Sequence, residues 1–216
     1  MIYRIDKLYE NGKRIVAVVQ TENAIDYSRL DSYTLLNRKE FGISDATAIC
    51  LMFGHDMCRK GVDIAINAIK GLVQEKDIAL FVVIVSDLDK TKQKLQAEFG
   101  EVPAWVKFLP PRDDIATYYH FADVFLSPSR EEGFCYALPE AAYSGCQVVF
   151  SNIEGQMHAV GIPGSFLFES ESVQSLHNQI KLVLDQKAST NAKEYVCKRY
   201  NLSSWSEAII KIYRNL

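Results

Sequence analysis

Apolar and polar residues follow two patterns along the chain, one typical of buried strands and one typical of amphipathic helices. Short runs rich in β-branched residues predict strands at residues 14–20, 46–53, 79–85, 105–109, 123–127 and 147–151. Apolar positions at helical spacing predict helices at residues 61–73, 90–99, 113–121, 138–144, 173–184, 191–200 and 203–213. Asp113 is the expected N-cap of the third of these helices.

The alternation of strands and helices favours an α/β fold with a doubly wound, Rossmann-like parallel sheet that is covered by helices on both faces. No linker rich in Gly, Pro or Ser and no repeat divides the sequence. We therefore expect one domain over residues 1–216, in which residues 1–13 have the place of an interdomain linker. Ligands of such sheets bind at the carboxyl ends of the strands, so the loops after the strands hold the candidate chemistry.

Composition and charge narrow the class of protein. Lys and Arg number 24 against 27 Asp and Glu, and the resulting net charge of −3 argues against a nucleic-acid partner held by bulk positive charge. The apolar runs are far shorter than the roughly 20 residues that span a bilayer. Five cysteines at irregular spacing are typical of reduced thiols. We expect a cytoplasmic protein, and peripheral attachment to the inner face of a membrane stays open.

The loop after residue 127 carries two carboxylates at a distinctive spacing. Glu132 and Glu140 lie eight residues apart, and Gly133 lets the backbone approach a ligand closely. A helix that begins near Tyr136 would direct free N–H groups toward an anion such as a diphosphate. Glu140, in its first turns, can accept both protons of a vicinal diol. A solvated acidic loop followed by an ordinary first-turn glutamate is the alternative interpretation.

The loop after residue 53 combines a glycine with adjacent cations. Gly54 is followed by Arg59 and Lys60 directly before a predicted helix, and such cations can neutralise a diphosphate without a metal ion. The loop is not a Walker loop, because Arg59 stands where a glycine precedes the lysine and Gly61 where Ser or Thr follows it. A charged turn at a helix start is the alternative interpretation.

Together these residues resemble glycosyltransferase family 4, a family of retaining enzymes with the GT-B architecture. The stretch from Glu132 to Glu140 is similar to the E-x7-E signature of that family. The other similar segments, in the order of the chain, are Asn23-Ala24-Ile25-Asp26, Gly54, Lys60-Gly61, Asp63, Ala122-Asp123-Val124, Pro128-Ser129, Gly145 and Val148-Val149. The resemblance implies that the chain is the C-terminal, donor-binding domain of such an enzyme.

The resemblance also implies a role for each matching residue. The implied catalytic residues are Glu132, which faces the donor sugar, and Lys60, which holds the departing diphosphate. Glu140 is implied to bind the ribose. The remaining implied donor-binding residues are Gly54, His55, Arg59, Gly133, Phe134, Cys135 and Tyr136, together with Pro110 and Arg112 beside the base. Among them, the backbone N–H groups near Phe134, Cys135 and Tyr136 are implied to contact sugar and phosphate.

Two residues of the candidate donor site depart from the pattern of the family. His55 stands where the family usually has arginine, so one phosphate contact is either weaker or supplied by Arg59. Cys135 replaces a common glycine and narrows the approach of the backbone to the sugar. These departures bear on the identity of the donor and on the rate.

The function that the resemblance implies is transfer of a sugar from a nucleoside diphosphate sugar to an acceptor glycan or lipid-linked sugar, such as a polysaccharide or lipopolysaccharide precursor. No metal and no cofactor are expected. The acceptor domain of a complete GT-B enzyme is not recognisable in the sequence, so a missing or separate acceptor domain is implied. The alternative is a non-catalytic nucleotide-sugar-binding subunit that works with a separate chain.

A metal-dependent transferase is a third hypothesis. Asp87 and Asp89 follow an apolar strand at the spacing of a D-x-D motif, in which paired carboxylates bridge a divalent cation to a diphosphate. Either residue also makes a good cap for the helix predicted to begin at residue 90, and we favour the cap.

Overall fold

The computed structural model describes residues 3–10, 13–20, 23–84, 88–186 and 191–214. Within these ranges the strands are β1 (Tyr3–Glu10), β2 (Lys13–Gln20), β3 (Ala48–Phe53), β4 (Ile78–Val83), β5 (Val106–Leu109), β6 (Val124–Ser127), β7 (Gln147–Ser151) and β8 (Ser165–Phe168). The α-helices are α1 (Val62–Lys70), α2 (Leu88–Phe99), α3 (Ala116–Phe121), α4 (Ala137–Tyr143), α5 (Val173–Leu184), α6 (Ala192–Arg199) and α7 (Leu202–Arg214). Short 3-10 helices cover Tyr27–Leu30, Arg38–Phe41 and Glu154–Ala159.

Six of the strands form one parallel sheet in the order β5-β4-β3-β6-β7-β8. The chain enters the sheet at β3, runs outward to β5, returns to place β6 beside β3, and then runs outward to the opposite edge. The winding direction therefore reverses between β3 and β6. In a doubly wound sheet this reversal opens a crevice at the carboxyl ends of the two strands, and ligands bind there.

Alternating residues of the central strand fill two separate cores. In β3, Ile49 and Leu51 join the core that includes residues of α3, α4 and α6. Cys50 and Met52 join the core on the other face, with α1 and α5. All six residues of β4 are buried, which explains why its sequence is a continuous apolar run rather than an alternating one.

The predicted fold class is confirmed, and most predicted elements lie within a few residues of the observed ones. The strand Ser165–Phe168 was not predicted, because only Phe168 of its four residues is buried and the apolar signal is weak. The Asp113 cap is wrong, because α3 begins at Ala116. Asp114 is the residue that accepts a hydrogen bond, at 2.9 Å from the Thr117 hydroxyl.

The first two strands correct the expected topology. The strand expected over residues 14–20 exists as β2, but it pairs antiparallel with β1 and forms a sheet of its own, outside the parallel sheet. The strand β1 also occupies most of the segment expected as a linker, residues 1–13. The parallel sheet therefore starts only at Ala48, with β3.

Other expectations concern cysteines, membranes and metals. All five cysteines are free thiols, as expected. Among the described residues, no helix has both the length and the apolar character needed to cross a bilayer. The described residues also contain no group of three His, Cys, Asp or Glu side chains arranged to hold a metal ion. Asp87 lies outside the described residues, and Asp89 lies in the first turn of α2.

Candidate functional site

Two loops meet where the strand order reverses. The β3–α1 loop covers residues 54–61 and the β6–α4 loop covers residues 128–136, and both leave the carboxyl ends of neighbouring parallel strands. Lys60 of the first loop forms an ion pair with Glu132 of the second, across 72 positions of sequence. The fold thus makes direct neighbours of the cation and the carboxylate that the sequence analysis singled out.

Glu132 is a nearly buried carboxylate with several donors. Besides Lys60, Arg59 Nη1 lies 3.3 Å from its Oε2 atom, and the Ser129 hydroxyl donates to its Oε1 atom at 2.9 Å. Burial alone would raise the pKa of Glu132, but the hydrogen bonds and the positive charges outweigh burial and lower this pKa. Glu132 is therefore ionised at neutral pH, and its charge is fixed between two cations.

Arg130 ties the two loops together from the β6–α4 side. Its Nη1 and Nη2 atoms lie 2.9 and 2.7 Å from the two carboxylate oxygens of Asp63, at the start of α1. Its guanidinium also donates to the Cys58 carbonyl and, at 3.0 Å, to Glu171. Its backbone N–H donates to the Arg59 carbonyl at 2.8 Å. These contacts hold the segment that carries Arg59 and Lys60 at both ends.

We expect Arg130 and Asp63 to be energetically coupled by about 1–2 kcal/mol, because their contact is bidentate and partly shielded from solvent. The unfolding free energies of Arg130→Met, Asp63→Asn and the double variant in urea give this coupling energy. The ion pair of Lys181 with Glu75, 2.7 Å apart and with both side chains about half exposed, is the matched control. Its coupling should be much smaller, because exposed pairs are screened. Equal couplings for the two pairs would show that Arg130 makes no special connection.

Glu140 is held in place by donors from two other segments. It lies in the first turn of α4 and is only 5% exposed. Its Oε1 atom accepts from Arg29, and its Oε2 atom accepts from the Tyr119 hydroxyl at 3.1 Å. Burial raises the pKa of Glu140, and both donors oppose this shift. Glu140 is therefore a buried carboxylate that accepts hydrogen bonds from two side chains, rather than a solvated first-turn residue.

His55 lies beside the cations of the β3–α1 loop. Its Nε2 atom is 2.9 Å from Arg59 Nη2, and since a guanidinium only donates, Nε2 accepts this hydrogen bond. Burial, followed by the charges of Lys60 and Arg59, lowers the pKa of His55, so the ring is neutral at pH 7. His55 supplies no positive charge at the position where the family usually has arginine, and it supports Arg59 instead.

Two of the predicted site glycines differ in their surroundings. A Cβ atom at Gly54 would lie 3.0 Å from Ile84 and closer still to Val82, so Gly54 is needed for the packing of the sheet on α1. A Cβ atom at Gly133 would meet nothing within 4 Å. The space beside Gly133 is therefore open, and its role in admitting a ligand stays a prediction.

The residues after Gly133 correct one expectation. The Cys135 N–H donates to the Gly155 carbonyl at 3.1 Å, and the Tyr136 N–H donates to the Phe134 carbonyl at 3.1 Å. These two N–H groups therefore have partners within the protein rather than being free for sugar or phosphate. The Cys135 side chain is buried, and Phe134 stacks on His158 with ring centroids 3.8 Å apart.

Pro110 and Arg112 follow the carboxyl end of β5. This end of the strand lies on the same side as the carboxyl end of β3, but β5 is two strands away from β3 in the sheet. Arg112 forms a bidentate pair with Asp114, with both distances 2.7 Å. The Tyr118 hydroxyl donates to the Pro110 carbonyl at 2.6 Å. The structure thus orders this segment but does not join it to the Lys60–Glu132 pair.

A buried polar network beneath the β6–α4 loop was missed by the sequence analysis. The Ser151 hydroxyl donates to the Ser129 carbonyl at 2.6 Å, and Gln156 Nε2 donates to the Ser127 hydroxyl at 2.6 Å. A Cβ atom at Gly155 would lie 2.9 Å from the Glu132 Cβ atom and collide with its carbonyl group. These residues support the loop from below, and single serines and glycines give no sequence signal for such a role.

Comparison with known proteins identifies the family. Residues 35–201 match the sequence profile of the family described as "Glycosyl transferases group 1". This match covers most of the chain, which therefore belongs to that family. The lipopolysaccharide glucosyltransferase WaaG of Escherichia coli K12 is 27% identical over 166 residues, which cover 73% of this chain and 44% of WaaG.

Two further comparisons agree with this assignment. The N,N'-diacetylbacillosaminyl-diphospho-undecaprenol alpha-1,3-N-acetylgalactosaminyltransferase of Campylobacter jejuni is 28% identical over 174 residues, 78% of this chain and 45% of that protein. The crystal structure of Anabaena HepE in complex with UDP-glucose matches this fold with a TM-score of 0.69. The match covers 83% of this chain and 51% of HepE, and the two sequences are 25% identical. The chain spans about half the length of these relatives.

Proposed function

We propose that this chain is the donor-binding half of a retaining glycosyltransferase that uses a nucleoside diphosphate sugar. The observation that carries the proposal is the Lys60–Glu132 ion pair at the point of strand reversal, in a member of the group 1 family. A cation beside a carboxylate, both shielded from solvent, suits a ligand that combines a diphosphate with a polyol.

In the proposed reaction the bond between the anomeric carbon and the diphosphate oxygen breaks, the oxygen of an acceptor hydroxyl bonds to the same face of that carbon, and the proton of the hydroxyl leaves with the departing diphosphate. Lys60, with Arg59 nearby, stabilises the negative charge that develops on the departing diphosphate. Glu132 accepts hydrogen bonds from hydroxyls of the donor sugar. The two cations supply the positive charge that a divalent ion supplies elsewhere, so the proposed reaction needs no metal and no cofactor.

Glu140 is proposed to bind the ribose, because a carboxylate accepts from two adjacent hydroxyls and both of its oxygens keep free lone pairs. The proposed donor site further includes Gly54, His55, Gly133 and Phe134, with Cys135 and Tyr136 as part of its wall rather than as N–H donors. Pro110 and Arg112 are proposed to lie beside the base, since they follow β5 at the same edge of the sheet.

The acceptor is proposed to be a glycan or a lipid-linked sugar. The name of the Escherichia coli relative refers to lipopolysaccharide and that of the Campylobacter relative to a diphospho-undecaprenol substrate. An acceptor-binding domain is proposed to come from another part of the polypeptide or from a second chain, because the relatives are about twice as long. The proposed reaction takes place in the cytoplasm, and a lipid-linked acceptor would bring it to the inner face of a membrane.

Calorimetric titration of the chain with sugar diphosphates of uridine, guanosine and adenosine, each with and without EDTA, tests the proposal. We expect saturable binding of one of them that EDTA does not change. Binding that requires a divalent cation would contradict the metal-free site and shift the assignment to Asp89 and its neighbours. If none of the donors binds, this chain does not form a donor site by itself and the proposal fails in its present form.

A further inference from the structure

Arg29 reaches the proposed ribose-binding carboxylate from a part of the sequence that the motifs do not cover. It contacts Glu140 across 111 positions of sequence. It lies in the 3-10 helix Tyr27–Leu30, which is anchored on the protein by the buried side chain of Leu30 and by the Tyr27 ring. That ring stacks on Tyr143 of α4, with centroids 4.5 Å apart and planes 13° from parallel. The backbone that presents Arg29 is therefore fixed against the helix that carries Glu140.

The groups around Glu140 differ in charge. Arg29 contributes a full positive charge and Tyr119 a neutral hydroxyl, and these are the two groups that lower the pKa of Glu140 against the effect of burial. Tyr27 also faces this carboxylate, and Cys135 and Cys146 lie near Tyr119. Burial raises the pKa of both tyrosines and both thiols, so all four are neutral at pH 7. Among the described groups that act on Glu140, Arg29 therefore supplies the charge.

We propose that Arg29 is a positioning residue for donor binding, which keeps Glu140 ionised and in a fixed orientation for the ribose. The inference rests on the function proposed above for Glu140. A vicinal diol offers two protons, and an ionised carboxylate accepts both, whereas a protonated carboxyl has itself become a donor. Arg29 donates a hydrogen bond to one oxygen of Glu140 and Tyr119 donates to the other. With both oxygens held, the orientation of the carboxylate is fixed before a nucleotide binds.

Titration of Glu140 by NMR in the ligand-free chain tests the charge effect directly. In Arg29→Met, with the glutamate carboxyl carbons labelled, the pKa of Glu140 should rise by about one unit or more over that of the parent chain. We expect a rise of the pKa near one unit rather than a larger one, because half of the Arg29 side chain is exposed to solvent. Arg29→Lys should recover most of the shift. An unchanged pKa in Arg29→Met would overturn the proposal.

Arg38→Met is the matched control. Arg38 also lies in a 3-10 helix and also pairs with a carboxylate, that of Asp123, at 3.5 Å. Asp123, however, precedes the amino end of β6, whereas the candidate site lies at the carboxyl ends of the strands. The pKa of Glu140 should be the same in Arg38→Met as in the parent chain. A rise as large as that in Arg29→Met would mean that loss of any arginine has this effect, and the proposal would fail.

Binding of UDP as a function of pH gives the functional readout. In Arg29→Met the affinity should fall as pH decreases through the raised pKa of Glu140, by up to about tenfold per pH unit below it. In the parent chain the fall should begin at lower pH. The difference in pH profile between Arg29→Met and the parent chain should disappear when both also carry Glu140→Gln, since Gln cannot titrate and the titration of the UDP phosphate is common to both. A purely structural role for Arg29 predicts weaker binding with an unchanged pH profile, and this result would overturn the proposal.

The two readouts also separate this inference from the proposed function. If the parent chain fails to bind UDP at every pH, the donor assignment is wrong for UDP, and the NMR titration still decides whether Arg29 controls the ionisation of Glu140. If UDP binds and the pKa of Glu140 is insensitive to Arg29, the donor site stands and the inference about Arg29 is wrong.

Discussion

Replacing Lys60 by methionine is expected to weaken the binding of UDP by about 2–5 kcal/mol, a factor of roughly 30 or more, while the binding of uridine changes little. Lys60 is largely buried and reaches across the crevice from the β3–α1 loop. Methionine keeps the length of the side chain and removes its charge. The loss should therefore fall on the diphosphate, which needs the ammonium group, and not on the nucleoside.

The ratio of the affinities for UDP and uridine is the quantity to measure, by calorimetry on Lys60→Met and on the parent chain. Lys181→Met removes a lysine from an exposed ion pair with Glu75, remote from the β3–α1 loop, and should leave the ratio unchanged. A ratio that is the same in all three proteins would exclude Lys60 from the phosphate site. Equal weakening of UDP and uridine would instead indicate a general disturbance of the loop.

The same variant changes the response to acid. The pKa of Glu132 is lowered because Lys60, Ser129 and Arg59 together outweigh burial, so this carboxylate stabilises the fold above the pKa it has when unfolded. The stabilisation is lost as pH falls through the lowered, folded-state pKa. Without Lys60 that pKa is higher, and acid unfolding should therefore begin at a higher pH in Lys60→Met than in the parent chain.

The sequence predicted the parallel sheet because its strands carry strong local signals. The run that becomes β4 is apolar at every position and is buried at every position. The strand order was not predicted, because the preference for right-handed crossovers limits the hand of each connection and does not decide which strands become neighbours. The loops beside β3 and β6 could still be singled out, since a doubly wound sheet places ligands at the carboxyl ends of its strands.

The sequence could not predict the partners of the two glutamates. Arg29 and Tyr119 meet Glu140 only because a 3-10 helix and α3 pack beside α4, and such contacts have no local pattern. Arg130 is one charged residue among several in its loop until the fold brings Asp63 to it. For the Cys135 N–H the sequence instead predicted a ligand contact that the structure does not leave open. This group precedes a helix and was expected to be free, but it donates a hydrogen bond to the carbonyl of Gly155.

Substitution of Gly61 by alanine is expected to lower the free energy of unfolding by about 2–5 kcal/mol. Gly61 has φ +68°, a left-handed conformation that costs a residue with a Cβ atom about 1–2 kcal/mol. The added Cβ atom would also lie 2.9 Å from the Pro128 carbonyl carbon and collide with its oxygen. Relief of such overpacking costs a further 1–3 kcal/mol or so, because backbone on one side has to move.

Gly42→Ala separates the two contributions to this effect. Gly42 has φ +67°, almost the same conformation, but a Cβ atom there would meet nothing within 4 Å. Urea unfolding should therefore show a loss of about 1–2 kcal/mol for Gly42→Ala and a clearly larger loss for Gly61→Ala. Equal losses would show that the contact with Pro128 costs nothing.

Since Gly61 follows Lys60 and Pro128 begins the loop of Glu132, the collision should also push the two loops apart. Gly61→Ala should accordingly weaken UDP binding under conditions in which the chain is still folded, and Gly42→Ala should not.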